Sequence, residues 1–339
     1  MMLRETTRIL CALVLALAAT FFTRTAPAQT VNLQTQHTFA VLRMPFAEMI
    51  KGSDGDFYGT TYNGGKEDLG AVYKLTASGE ITLLHSFSGP DGSHPSSCLA
   101  EGNDGAFYGT TSGGGINYNG TVFKITPNGI FTTLHYFNYP GGRVPCAGLV
   151  LADDGCFYGT TSDPGTVFKI TPDGLLTTLH TFDSNAHPKT ALIQGLDGAL
   201  YGTIDYGSIF RITPEGTLTT LYNFSGLMIK SPLTQGLDGA FYGTAFGLPT
   251  SFNGIVFRLT PEGVMTTIHT FNGADGSFPQ GALVQDSAGA LYGTTWGGGR
   301  NGAGQGYGTV FKVTPGGVFT LLHMFDGTDG GFPYAGLVQ

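Results

Sequence analysis

Five aspartates stand directly before glycine at a recurring point of the chain: Asp54, Asp104, Asp154, Asp197 and Asp238. Each lies four residues ahead of a Tyr-Gly pair, at Tyr58, Tyr108, Tyr158, Tyr201 and Tyr242. A sixth pair, at Tyr292, follows Ala288-Gly289 instead. Repeated carboxylates raise three kinds of chemistry: acid–base catalysis, calcium ligation and turn formation. A calcium loop needs several oxygen ligands in a short span, as in D-x-D-x-D-G, and most copies offer one. An active site needs unlike groups converging on one point, whereas similar copies related by rotation point to different places. A hairpin turn needs only Asp to cap it and Gly to take positive φ, and it survives the exchange of Asp for Ala288. The sequence therefore reads these pairs as turns.

The other reactive side chains follow the same repetition. His37, His85, His135, His180, His269 and His323 share an H-x-F register in which Tyr222 replaces one histidine. Replacement by tyrosine suits packing or a hydrogen bond and excludes a shared metal. His94 and His187 precede proline outside this register, with no partner visible. Lys74, Lys124, Lys169, Arg211, Arg258 and Lys312 occur once per copy, so they spread around the molecule, their aliphatic stems packing on neighbouring surface. "GGGRNG" places Gly297, Gly299 and Gly302 at G-x-G-x-x-G spacing, but a dinucleotide site requires a helix next. Here "GTVF" follows, which reads as a strand. No catalytic residue, metal site or cofactor is expected.

The elements that position these residues recur with Tyr-Gly spacings of 50, 50, 43, 41 and 50 residues. Each unit reads "GLVQ", then "DGxFYGTT", then "GTVFKITPxG", then "TTLHxF" and a proline-containing link. The pieces are short and rich in β-branched and aromatic residues, as strands are. Asp-Gly joins the first to the second, and Thr-Pro-x-Gly joins the third to the fourth, with Pro presetting φ and Gly taking the left-handed position. Four antiparallel strands per 41–50 residues describe propeller blades. The expected fold is an all-β β-propeller of four-stranded antiparallel blades, with six complete blades and a partial seventh. An open β-solenoid is the runner-up. The seventh is represented by an extra "HTF" at His37–Phe39 and an extra "GLVQ" at Gly336–Gln339; truncation of a seven-blade ring explains both, and a natural six-blade ring with frayed ends is the competing expectation. Gly59, Gly109, Gly159, Gly202, Gly243 and Gly293 are expected where a neighbouring blade approaches the backbone.

The stretch "DGAFYGTTSGGGINYNGTVFKITPNGIFTTLHYF" resembles the GloVer tandem repeat of secreted bacterial proteins, of the choice-of-anchor tandem-repeat type. The resemblance covers roughly residues 35–339 and implies a propeller-like repeat protein. It specifies the repeat and is nearly silent on activity. Such proteins often carry a C-terminal anchoring segment, and none is visible in this sequence.

Residues 1–28 read as a secretory signal peptide: Arg4 and Arg8, an apolar run over residues 9–22, then Ala26-Pro27-Ala28 as an A-x-A cleavage pattern. The run is too short for a membrane span. Residues 29–339 then form one propeller domain. Arg4, Glu5, Arg8 and Arg24 leave with the leader, so 13 of 16 basic and 23 of 24 acidic residues remain. A secreted chain of about ten net negative charges is a poor partner for nucleic acid or an anionic membrane. It is expected outside the cell or at its surface, the periplasm being the alternative, as a monomer without membrane insertion after cleavage. Cys98, Cys146 and Cys156 are expected as isolated buried thiols.

Function is expected in the loops that vary. In an up-and-down blade the two-to-three loops and the four-to-one links emerge on one face, and variable loops on a rigid scaffold carry binding residues. The two-to-three loops hold Tyr62, Tyr118, Tyr206, Phe246, Phe252, Trp296 and Tyr307, with Arg300 in the longest. Trp296, Arg300 and Tyr307 lead this candidate face. A second candidate is a central channel lined by the residue closing "GLVQ": Lys51, Glu101, Leu151, Gln194, Gln235, Gln285 and Gln339. The expected function is non-catalytic recognition of a polysaccharide or a cell-surface protein. The alternative is an extracellular propeller hydrolase or lyase with its site at the channel mouth.

Overall fold

Each Asp-Gly and each Thr-Pro-x-Gly closes a hairpin, and those hairpins fix the order of the strands. In a computed structural model, which describes residues 42–43, 47–183, 186–205, 207–247, 253–299, 306–334 and 336–337, the chain forms six four-stranded antiparallel sheets. The first blade comprises Ile50–Lys51, Phe57–Thr61, Ala71–Leu75 and Ile81–Ser86. The second comprises Ala100–Glu101, Phe107–Thr111, Thr121–Ile125 and Phe131–Tyr136. The third runs from Val150–Leu151 to Leu176–Thr181, and the fourth from Ile193–Gln194 to Leu218–Asn223. The fifth runs from Thr234–Gln235 to Met265–Thr270, and the sixth from Val284–Gln285 to Phe319–Met324. The all-β fold and the four-stranded propeller blades expected from the sequence are present. The extra "HTF" copy and the leader lie outside the described residues.

Strands adjacent in sequence are adjacent in each sheet. Both tight turns therefore lie at one end of every blade, the short-turn face, and the loops and links at the other, the long-loop face. Two short pairings decorate the long-loop end: Leu42–Arg43 with Asn63–Gly64, and Leu227–Met228 with the end of Phe241–Gly247.

The core lies between blades. Tyr58, Val72 and Phe87 of the first blade pack on Leu99, Phe107 and Phe123 of the second, and the pattern recurs through the fifth and sixth. Tyr58 stacks on Phe107 at 3.8 Å, and Tyr108 on Phe157 at 4.0 Å. A sheet covered on both faces loses the simple alternation of a half-exposed strand, which is why "VFKI" carries adjacent apolar residues.

One expectation is corrected. The strand glycines are crowded by a ring of their own blade. A Cβ at Gly109 would stand 2.6 Å from the Phe123 ring and 2.8 Å from Leu99, both in the second blade, and Phe123 is its cross-strand partner. Gly159, Gly202, Gly243 and Gly293 are crowded in the same way by Phe168, Phe210, Phe257 and Phe311. The glycine lets the phenyl ring fold flat over the backbone, from where it reaches the preceding blade.

Gly336 shows where the chain goes after the sixth blade. A Cβ there would lie 3.1 Å from Ala282, just as one on Gly148 would meet Cys98 at the matching place one blade apart. Its N–H donates to the Glu48 carboxylate of the first blade. Gly336 thus takes a seventh inner place between the sixth and first blades, as the partial seventh blade requires.

Candidate functional site

On the short-turn face the aspartates, tyrosines and cations of the repeat meet. The Tyr58 hydroxyl donates to Asp54 at 2.6 Å, and Lys74 Nζ stands 3.1 Å from the same carboxylate. The trio returns as Asp104–Tyr108–Lys124, Asp154–Tyr158–Lys169, Asp197–Tyr201–Arg211 and Asp238–Tyr242–Arg258. There the tyrosine bonds span 2.7–3.0 Å and the cations stand at 2.6–2.7 Å. The sixth copy keeps it from another position. Asp286, two residues ahead of the missing Asp, accepts from Ala288, Ala290 and the Tyr292 hydroxyl, with Lys312 at 3.8 Å. The lysine heads also sit over the tyrosine rings, Lys74 5.4 Å from the Tyr58 centroid. The cations are therefore held by their own blade's carboxylate, which stem packing alone had not anticipated.

These contacts shift the proton affinities coherently. The Tyr58 hydroxyl, with the Asp56 N–H and Lys74, holds Asp54 below the usual carboxylate range. At Asp104, Asp154, Asp197 and Asp238 desolvation pushes upward and is outweighed by the cation and the tyrosine. At Asp286 the Ala290 N–H leads the lowering. Burial raises Tyr58, Tyr108, Tyr201 and Tyr242, and Tyr158 to about 12. Each carboxylate is thus fixed as an ionised turn anchor.

Three of the candidate channel residues, Glu101, Gln194 and Gln285, are latches between blades. Glu101 accepts from the Ser53 N–H and hydroxyl of the preceding blade, the N–H at 2.9 Å. Gln194 accepts from Asp153 N–H at 2.9 Å and Gln285 from Leu237 N–H at 2.8 Å. Gln194, Gln235 and Gln285 also donate to the carbonyls of Gly198, Gly239 and Gly289 in their own turns. Lys51, which can only donate, is exposed, and Gln339 lies outside the described residues. Gln285→Ala is expected to lower stability by about 0.5–1.5 kcal/mol, the net worth of such a bond, as urea unfolding would show.

The histidines are also committed. His85, His269 and His323 meet Asp91, Asp275 and Asp329 at 2.8, 3.0 and 2.7 Å. His85 and His269 stack on Phe131 and Phe319 of the next blade at 3.7 and 3.8 Å. His94 and His187, expected without partners, have them: His94 meets the Tyr62 ring edge-on, and His187 Nδ1 lies 2.7 Å from the Ser162 carbonyl. Cys98, Cys146 and Cys156 are free thiols whose pKa burial raises; all three are half-buried rather than fully buried.

The long-loop face holds the remaining candidates. Trp296 follows the second strand of the sixth blade at its long-loop end and is 38% exposed. Tyr307 is half-buried beside it, Tyr118 is 85% exposed on another loop, and Tyr62 is half-buried. Arg300, Tyr206 and Phe252 lie outside the described residues. Sequence reasoning missed two neighbours, Phe278 and Phe332. Phe246, Phe278, Trp296 and Phe332 form a row with successive centroids 5.9, 6.3 and 5.0 Å apart, and Tyr307 joins Phe332 at 5.4 Å. Lys230 stands 5.8 Å over the Phe246 ring. Phe278 and Phe332 precede prolines in the links and hold φ of 54°, as His94 and Val144 do at 56° and 57°. Non-glycine residues rarely adopt this region. Hydrogen bonds impose it: Phe278 N–H donates to Asn253 at 2.7 Å, and Trp296 N–H donates to the Phe278 carbonyl at 3.1 Å. The proline after each aromatic was the available signal.

A family model described as the Gloeobacter/Verrucomicrobia repeat matches residues 17–208 and 203–339. No curated protein matches the chain. Among solved structures, virginiamycin B lyase from Staphylococcus aureus is similar at a TM-score of 0.61 and 20% identity, over 82% of this chain and 84% of that one. A streptogramin B lyase is similar at 0.62 and 18%, over 86% of each chain. Oligogalacturonate lyase from Vibrio parahaemolyticus is similar at 0.55 and 10%, over 84% and 78%. At these identities the likeness shows the β-propeller fold alone.

Proposed function

The chain belongs to the Gloeobacter/Verrucomicrobia repeat family, and from that premise we propose a non-catalytic recognition protein of the cell exterior that holds a saccharide chain on its long-loop face. The observation that carries this reading is the row Phe246, Phe278, Trp296 and Phe332, in which Phe246 is buried and the last two members, Trp296 and Phe332, are 38% and 46% exposed. Extended aromatic surface with a few polar groups at its edge suits a ligand that is apolar on one side and hydroxylated on the other. The link hydrogen bonds fix Phe278 and Phe332, so little ordering opposes binding. The six turn aspartates are engaged on the opposite face, and Asp91, Asp275 and Asp329 of the links are each tied to an outer-strand histidine, so we favour recognition over catalysis. The leader read from residues 1–28 supports a place outside the cell.

A glycan array followed by titration calorimetry tests this. Trp296→Ala is expected to weaken the bound saccharide at least about tenfold, or 1.4 kcal/mol, with an unchanged melting temperature. Tyr118→Ala, on a loop apart from the row, is expected to bind normally. Binding that survives Trp296→Ala combined with Phe332→Ala would reject the reading, as would an array with no ligand.

A further inference from the structure

The aromatic row has a cation at its buried end, and the repeat shows what that cation lacks. Lys230 stands 5.8 Å over the ring of Phe246, from which the row continues through Phe278 to Trp296. Its counterpart one blade earlier is Lys189. The residue after each lysine meets a second-strand threonine, Thr190 with Thr203 at 2.7 Å and Ser231 with Thr244 at 3.1 Å. Those contacts fix the two lysines at the same place of consecutive blades. In the fourth blade Lys189 faces Asp205 at 2.7 Å. In the fifth the matching residue, four places after Tyr242 as Asp205 is after Tyr201, is Phe246.

The exchange of Asp for Phe leaves a charge uncompensated. Lys230 is exposed, and among the described residues it meets no carboxylate. A phenyl face attracts an ammonium but supplies neither an oxygen acceptor nor a negative charge, so the donors of the head group stay available. The same place is neutral in the third blade, where Cys146 faces Ser162 at 3.7 Å, and in the sixth, where the sequence has Gln280 and Trp296. The segment that carries Lys230 is anchored, because Met228 pairs with Phe246 itself. The cation is thereby kept beside the row.

We propose that the saccharide held on the long-loop face is an acidic one, whose carboxylate or sulfate ester pairs with Lys230 while its sugar rings lie along Phe278 and Trp296. The proposal rests on the reading of the row as a saccharide site and adds the class of sugar. The anion takes against Lys230 the place that Asp205 takes against Lys189. The chain's net charge of −8 works against any anion at long range, so the preference comes from this one contact.

The test uses the full chain and an array of matched pairs. Each uronate oligosaccharide is printed beside its carboxyl-reduced form, and each sulfated one beside its desulfated form, with calorimetry on the best pair. The acidic member is expected to bind about three- to tenfold more tightly, the range between an exposed ion pair and a charge-assisted hydrogen bond. The margin should shrink as salt is raised. Whether it appears in the uronate or the sulfated pairs tells carboxylate from sulfate ester. Lys230→Gln is expected to abolish the preference and Lys230→Arg to keep it. Trp296→Ala should weaken both members of a pair and leave their ratio unchanged. Because Lys230 is exposed, its variants should melt like the parent, so a lost margin reports the contact and not the fold. Equal binding of acidic and neutral members, or a margin that survives Lys230→Gln, overturns the proposal and leaves the saccharide reading standing. An array with no ligand ends both.

Discussion

Phe123→Ala is expected to lower the stability of the ring by about 3–5 kcal/mol, the usual cost of emptying a buried phenylalanine site. The ring is fully buried, contacts Phe87 of the preceding blade at 5.3 Å and lies over Gly109. Gly109→Val is expected to cost about 1–3 kcal/mol from the opposite cause, overpacking, because its Cβ would sit 2.6 Å from the same ring. Together the two changes should cost clearly less than their sum, since a valine at 109 enters the space that Phe123 vacates. A double-mutant cycle by chemical denaturation measures this coupling. Strict additivity would show that the glycine is there for another reason.

The second large effect is with pH. All six turn aspartates have lowered pKa values in the folded chain. A carboxylate with a depressed folded pKa contributes stability that is present above its unfolded value, near 3.9. That contribution is lost as pH falls through the folded value. Because all six act in the same direction, the melting temperature should fall steeply below about pH 4. Tyr58, Tyr108, Tyr201 and Tyr242 move the other way, as do Tyr73 and Tyr158, both to about 12. Burial favours their neutral form, so their contribution is complete below the unfolded value near 10 and disappears as pH rises toward 12. Melting curves from pH 2 to 11 should therefore show a broad plateau with two falling edges. Asp104→Asn should soften the acid edge, because one group then no longer differs in proton uptake between the folded and unfolded states.

What could be read from the sequence followed from local chemistry. Asp-Gly and Thr-Pro-x-Gly specify turns within four residues, so the hairpins and the four-strand unit were legible. Asp286 was not, because its carboxylate replaces Asp from a place two residues away, and only the folded turn shows that both reach the same tyrosine. The channel reading of Gln194 and Gln285 placed the side chains on the inner strand correctly. It could not supply their acceptor role, since the donor N–H groups belong to the previous blade, 41 and 48 residues away. Val144 is the clearest case. A residue before proline is biased to extended backbone, yet Val144 holds φ of 57°. Its N–H is fixed by the Asn119 carbonyl and its own carbonyl by the Ser162 N–H, so contacts between blades override the local preference. The aromatic row was half legible for the same reason: Phe246, expected in a loop, ends a lengthened second strand, and Trp296 opens a loop of visible length, while Phe278 and Phe332 join them only through the strained links.

The Asp–Tyr–cation trio has a consequence for how such a chain can change its length. Each trio is assembled from a single repeat, Asp104 with Tyr108 and Lys124 for example. A stretch of DNA encoding one unit can therefore be copied or excised without orphaning a charge in what remains. The latches that do cross between units ask chiefly for a backbone N–H, which nearly any residue supplies, the Ser53 hydroxyl on Glu101 being an addition to it. Unequal recombination between repeats would meet little electrostatic resistance, and blade number becomes a trait that can drift while the turn chemistry stays constant.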